Sequence, residues 1–279
     1  MKNTSYSYGL DYQLKQTIKH RNRKNNHWKK RIEILNYLID NYTLPKLLHH
    51  KVLEEIISLD VGCSIGTMAI EMASRGFRSY GVDFDPTSIQ IANKLAEEEN
   101  LNIDFQVNDV SEWKLSSEND QKIDIALCFD IFEHLHDDEI GALLNSVKGK
   151  LNSNGALIFH TFPQEYEYIF HTKLIYRLPL ILFNFFSTNV FLKATKIWAL
   201  IIDCIYVIKN GDVHKMRIKK HSHCNPTTIA RLNDILERSG FHVTYIKSSS
   251  DYPNQNSNMK FFDRHPITHR NIFGVAHLT

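Results

Sequence analysis

Between residues 51 and 161, short apolar runs alternate with helical patterns. The runs near 56–61, 78–83, 102–107, 123–129 and 155–161 are rich in Ile, Val and Phe, as buried strands are. Apolar residues at helical spacing fall near 66–75, 86–99 and 137–150. Pro86 stands at the first helical position of its segment, where a missing N–H costs nothing. Such alternation predicts a parallel sheet with helices on both faces and ligands at the carboxyl ends of the strands. The polar stretch 108–122 reads as a loop.

On either side of this core the pattern changes. From about Gln13 to Asp40 it is helical, with Ile32, Leu35, Leu38 and Ile39 as an apolar stripe. A basic run lies ahead of the stripe: Lys19, His20, Arg21, Arg23, Lys24, Lys29, Lys30 and Arg31. It reads as a solvated helix face or as an RNA or anionic-membrane contact. Residues 174–208 are apolar and aromatic. Their longest stretch free of charge and histidine, 178–192, is interrupted by Pro179, two Asn, a Ser and a Thr. A spanning helix needs about 20 apolar residues, so no transmembrane segment is expected. The insert reads as a helical lid packed on the sheet; the alternative is an apolar face offered to a membrane or a lipid-like substrate. Beyond it, 229–238 is helical and stops at Gly240, 241–246 alternates as a strand, and 271–278 is a last strand.

Composition then sets the frame. With 279 residues the chain can bury one large core plus an appendage. A net charge of +2 with 23% charged residues gives no whole-protein case for nucleic acid. Cysteines at 63, 128, 204 and 224 show no CxxC pair, which fits a reducing, cytoplasmic setting. The first residues, Met1 to Tyr6, lack the apolar core of a signal peptide.

The candidate chemistry begins at Leu59-Asp60-Val61-Gly62-Cys63-Ser64-Ile65-Gly66-Thr67-Met68. A buried strand passes through small residues into a helix start, and glycines there allow a close backbone approach to a ligand. Free N–H groups at that helix start would suit a carboxylate or phosphate. Asp83, seventeen positions after Gly66, ends the second strand and is placed to accept from ribose hydroxyls. A dinucleotide fingerprint needs glycines at first, third and sixth positions. Counted from Gly62, Ser64 and Thr67 occupy the last two. Read as Asp-x-Gly-x-Gly-x-Gly, only the middle glycine is replaced, by Ser64.

That pattern resembles motif I of the class I S-adenosylmethionine-dependent methyltransferases, and the resemblance continues in order. Gly81-Val82-Asp83-Phe84-Asp85-Pro86 looks like the family's second strand, and Phe105-Gln106-Val107-Asn108-Asp109-Val110 like its third. Ile123-Asp124-Ile125-Ala126-Leu127-Cys128-Phe129-Asp130 looks like its fourth. The resemblance covers about 56–161 and returns near 226–278. It implies an α/β, Rossmann-like fold: a seven-stranded, mostly parallel sheet whose last strand is antiparallel and inserted beside the fifth, plus the helical insert. It also implies four parts: an N-terminal helical cap (1–50), a cofactor-binding core (51–161), a substrate insert or lid (162–225) and a C-terminal completion of the core (226–279). S-adenosylmethionine is the cofactor implied, with Asp60, Gly62, Cys63, Ser64, Gly66, Asp83, Phe84, Asp109, Val110 and Asp130 around it. Asp109 is the acid that meets the adenine amino group. In the family, N-terminal helices often lid the cofactor, a role open to Trp28 and Tyr37. Ser64 carries a Cβ, so ordinary negative φ is expected there, with its hydroxyl turned to the cofactor.

Methyl transfer to a hydroxyl needs alignment, exclusion of water and a base. The candidates are His134 and Glu133 just past the fourth strand, with His221 and His223 at the return from the insert, expected to lie near them under a roof formed by the insert. A capping role for Glu133 and His134 is the alternative. A divalent metal is not expected, although Asp130, Glu133 and His134 form an acid-x-x-acid-His pattern resembling the Glu-x-x-Glu-His of magnesium-dependent ubiquinone-pathway and small-RNA methyltransferases. The reading is methyl transfer to an oxygen of a small or lipid-like molecule. The alternatives are an RNA methyltransferase using the basic run and a cofactor-binding homologue without catalysis.

Overall fold

Seven strands hydrogen-bond in the order β3-β2-β1-β4-β5-β7-β6 in the computed structural model. They are β1 (Ile57–Val61), β2 (Arg78–Asp83), β3 (Asp104–Val107), β4 (Ile123–Phe129), β5 (Leu151–Thr161), β6 (Phe241–Ser249) and β7 (Asn271–Leu278). The structure describes residues 10–25, 27–113, 122–162, 164–171, 174–211, 225–249 and 261–279. β1 to β5 are parallel, and β7 lies antiparallel between β5 and β6. β1 and β4 are buried along their whole length, so the polar side chains of Ser58, Asp60 and Asp124 are buried with their apolar neighbours.

Helices α4 (Thr67–Ser74), α5 (Pro86–Glu98), α6 (Asp137–Lys150) and α10 (Ile229–Arg238) connect the strands. They follow a cap of α1 (Leu10–Arg21), α2 (His27–Leu38) and the short α3 (Leu44–Leu47). Asp85 caps α5 by accepting from the N–H groups of Thr87 and Ser88, and Pro86 opens that helix. Strand order reverses between β1 and β4. The crevice of a doubly wound sheet forms at that switch point, outside the carboxyl ends.

Two elements differ from the sequence pattern. The predicted N-terminal helix is broken in two, with a 3-10 turn over Arg23–Asn25. β5 begins at Leu151, which pairs with Ile123 before the register shifts. Gly155 lies at that irregularity, where a Cβ would meet the Asn152 carbonyl at 2.9 Å.

The insert holds α7 (Glu167–His171), α8 (Leu174–Arg177) and α9 (Thr188–Asn210). It was expected to pack on the sheet. Instead, Tyr168, Ile169, Phe170, Leu180, Phe191 and Ile202 form a cluster with Phe262, distinct from the three clusters flanking the strands. His265 stacks on Phe191 at 3.9 Å and holds the Asn184 carbonyl through Nε2. The excursion is closed at its root, where the Glu165 N–H donates to the Thr227 carbonyl at 3.0 Å.

Candidate functional site at the carboxyl edge of the sheet

The turn after β1 is wound tightly. Gly62, Ser64 and Gly66 all have positive φ, at 68°, 48° and 77°. The expectation for Ser64 is therefore wrong: it is left-handed. The reason lies in its N–H, which donates to Asp83 Oδ2 at 2.8 Å, while Gly66 N–H turns back to the Cys63 carbonyl. The free N–H groups expected of this turn are largely used inside the protein. Gly62 and Cys63 donate to the Val82 carbonyl, and Ala69 donates to Asp60 Oδ2. The two glycines are demanded by packing as well as by φ. A Cβ on Gly62 would meet Ile131 at 2.6 Å, and one on Gly66 would meet the Phe105 ring at 2.6 Å.

The strand-end acids follow along the edge. Asp83 accepts from Ser64 N–H through Oδ2 and from Asp85 N–H through Oδ1, so both oxygens are oriented and each keeps a lone pair. Burial pushes its carboxyl up, against the pull of those bonds. Asp60 is more extreme: buried inside the sheet, it is pushed up to about 8. Cys63 is buried and its thiol raised well above the ordinary range. Asp109 is exposed and accepts from the Ser111 N–H and hydroxyl. Phe84 is exposed, while Val110 is buried in the core beside Trp113.

Residues 59–155 match a family model described as a methyltransferase domain. The chain is 28% identical over 178 residues to a ubiquinone biosynthesis O-methyltransferase of Rickettsia typhi, a match covering 63% of this chain and 70% of that one. A protein of the same description from Coxiella burnetii is 28% identical over 114 residues, covering 41% of this chain and 47% of its own. The fold is that of an S-adenosylmethionine-dependent methyltransferase from Clostridium acetobutylicum, with a TM-score of 0.55, 10% identity, and 97% and 99% of the two chains covered. It is also that of magnesium protoporphyrin IX methyltransferase from Synechocystis PCC 6803 with bound SAH: TM-score 0.53, 15% identity, coverage 96% and 97%. Residues 59–155 form a methyltransferase domain, and the chain carries the Rossmann-like fold of the class I S-adenosylmethionine-dependent methyltransferases.

In this methyltransferase the end of β4 carries an ionic network that sequence reasoning missed. Asp130 has φ 56°. Its Oδ2 accepts from Arg31 Nε at 2.5 Å and its Oδ1 pairs with His160 Nδ1 at 2.5 Å. Those two partners hold the Asp130 carboxyl far below the usual range, overriding the opposing effect of burial. Arg31 also lies over the Phe162 ring, 5.1 Å from its centroid. In the sequence Arg31 ends the basic run and His160 stands within the apolar run of β5. A histidine closing an apolar strand and an arginine within a helix's apolar spacing were the available signals.

Three more members of the basic run are spent in similar ways. His20 is buried between Thr67 and Glu99, Arg23 pairs with Glu99, and Arg21 pairs with Glu98. Gln13 donates to Asp85 at 2.6 Å. α1 and α2 are thus tied to the starts of α4 and α5 and to the end of β4. Tyr12 on α1 has its phenol pushed up by burial and by the carboxylates of Asp130 and Glu133. Of the two aromatic lid candidates, Trp28 lies beside Arg31, whereas Tyr37 is displaced to a tyrosine cluster with Tyr42 and Tyr245. The methyltransferase buries Glu133 completely; it accepts from the Thr161 hydroxyl at 2.8 Å, and burial with the nearby Asp130 charge raises its carboxyl strongly.

His134 is half-buried on the 3-10 turn Phe132–His134. His221 and His223 lie outside the described residues. Two positions beyond His223, the Asn225 N–H donates to the Glu133 carbonyl, and its side-chain amide donates to the Leu135 carbonyl and to Asp137. Asp130 already carries Arg31 on one oxygen and His160 on the other, and Glu133 faces inward. These two acids therefore do not converge with His134 as a metal-ligand set, and among the described residues no such cluster occurs.

Proposed function

We propose that this methyltransferase moves a methyl group from S-adenosylmethionine to an oxygen of a lipid-like small molecule. One observation carries the acceptor: the relatives aligned over 63% of the chain are ubiquinone biosynthesis O-methyltransferases. The structure suits the cofactor in one respect above others. Asp83 presents two oxygens, each fixed by a backbone N–H, as two neighbouring ribose hydroxyls require.

When bound, S-adenosylmethionine supplies a methyl already activated on sulfur, so alignment and water exclusion are what the protein adds. We assign Asp83 to the ribose, Asp109 to the adenine amino group, and the 60–66 turn with Asp130 to the methionine end. α1 and α2 exclude water above them. His134, at the end of β4, takes the hydroxyl proton. Glu133, its carboxyl raised by burial, positions that turn through Thr161. With Cys63 and Cys128 free and buried, we place the reaction in the cytoplasm.

The test is transfer from methyl-labelled cofactor to catechol or phenol acceptors bearing a short prenyl tail. His134→Ala is expected to bind cofactor normally and to lose about 10²–10⁴ in turnover. Normal turnover of that variant would remove His134 from the reaction; transfer to none of these acceptors would overturn the lipid-like reading.

A further inference from the structure

The insert buries one face of α9 and leaves the other bare. Phe191, Thr195, Ala199 and Ile202 point into its small core. Ile197, Leu200, Ile201, Cys204 and Ile208 recur three and four residues apart on the opposite side and are exposed. The turn before α9 adds more: Leu182 is 74% exposed and Phe185 71%, against 83% for Ile208 at the far end. A soluble monomer rarely shows so much contiguous apolar surface. Yet among the described residues no helix is long and apolar enough to cross a membrane.

Charge tells what covers this face. Across residues 174–211 the cations are Arg177, Lys193, Lys196 and Lys209, against the single acid Asp203. The other 241 residues hold 29 cations and 30 acids, so the positive excess of the chain sits on its most apolar segment. Lys193, Lys196 and Lys209 are exposed among or beside the bare apolar positions. A second copy would set the same patch against itself, lysine facing lysine, which repels. An anionic lipid surface instead takes the apolar side chains into its acyl boundary and the lysine heads at its phosphates, with the lysine stems lying along the apolar face.

We infer that the outer face of α9 and the 181–186 turn dock this protein flat onto an anionic bilayer without spanning it. The inference does not depend on the acceptor: it stands on exposure and charge alone. Its geometry nonetheless suits an acceptor drawn from a membrane, because the excursion returns at Asn225, bonded to Glu133 beside His134.

The experiment is flotation of the full chain with vesicles of phosphatidylcholine alone and of phosphatidylcholine with about one third phosphatidylglycerol. Binding is expected to the anionic vesicles and to fall as salt rises. Leu182→Ser with Phe185→Ser, and separately Lys193→Gln with Lys196→Gln, should each weaken it by roughly tenfold or more. These side chains are exposed, so both variants should keep the wild-type melting temperature and cofactor affinity. Absence of vesicle binding, or binding that both variants retain, overturns the inference. So does a dimer in light scattering that Ile197→Ser with Leu200→Ser dissociates, since the face would then belong to a second copy.

Discussion

Asp60 is a carboxyl placed where ionisation is expensive. Its value near 8 lies far above that of an Asp in an unfolded chain, about 3.9. Folding therefore binds a proton between those limits, and stability falls as pH rises from about 4 to about 8. Asp60→Asn keeps a carbonyl for the Ala69 N–H and removes the titration. Its denaturation midpoint is expected to lose most of that pH dependence and to exceed the wild type at pH 8; a profile parallel to the wild type would show Asp60 ionised in the folded state. Asp130 works in the opposite sense. Held low by Arg31 and His160, it stabilises the fold above about pH 4, and that stability is lost as pH falls through its depressed range. At Ser64 the cost is conformational: a left-handed non-glycine residue costs about 1 kcal/mol or more. Ser64→Gly should be neutral or slightly stabilising. Ser64→Val should lower stability by more than about 1 kcal/mol in chemical denaturation, because a β-branched residue tolerates that region worst. For the cofactor, Asp83→Ala should weaken S-adenosylmethionine binding by about 1.5–3 kcal/mol in calorimetry, and unchanged affinity would release Asp83 from the ribose.

Among the elements, α2 acts as a latch. Arg31 reaches from it to Asp130, and removing one member of a nearly buried ion pair leaves the other charge uncompensated, at a cost of about 3 kcal/mol. Arg31→Met should therefore destabilise the cap more than Asp130→Asn combined with Arg31→Met does, and limited proteolysis should open residues 10–38 first. A double-variant loss equal to the sum of the two single-variant losses would mean that the pair carries no coupling. The helix itself was legible: Ile32, Leu35, Leu38 and Ile39 mark its apolar stripe. The latch was not, because nothing in a local pattern tells a buried arginine from a solvated one until its partner across the fold is known. The strands divide in the same way. β1 announced itself by its dense apolar positions, β4 by the apolar run over residues 125–129, and Asp83 by standing at a strand's end. Ser64 misled because its φ is set by Asp83, nineteen positions away, through one hydrogen bond. His160 was hidden inside an apolar run, where a histidine reads as core.

At the scale of the whole molecule, the chain is a sheet domain with a side excursion tied back at its root and again along residues 261–265. The Glu165–Thr227 bond closes the root, and the Phe170–Phe191–Phe262 cluster holds the excursion together. A small cluster buries less apolar surface than the clusters around β1, β4 and β5, so it opens at lower free energy. Native-state hydrogen exchange should show this directly. Amides of residues 191–202 are expected to exchange through an opening with lower free energy and a shallower denaturant slope than those of Ile123–Phe129 in β4. Anionic vesicles should then raise protection across α9 and leave β4 unchanged, because a surface that binds only the folded excursion stabilises that unit by mass action. Identical opening energies and slopes in both regions would make the molecule one cooperative unit, with the excursion as rigid as the sheet.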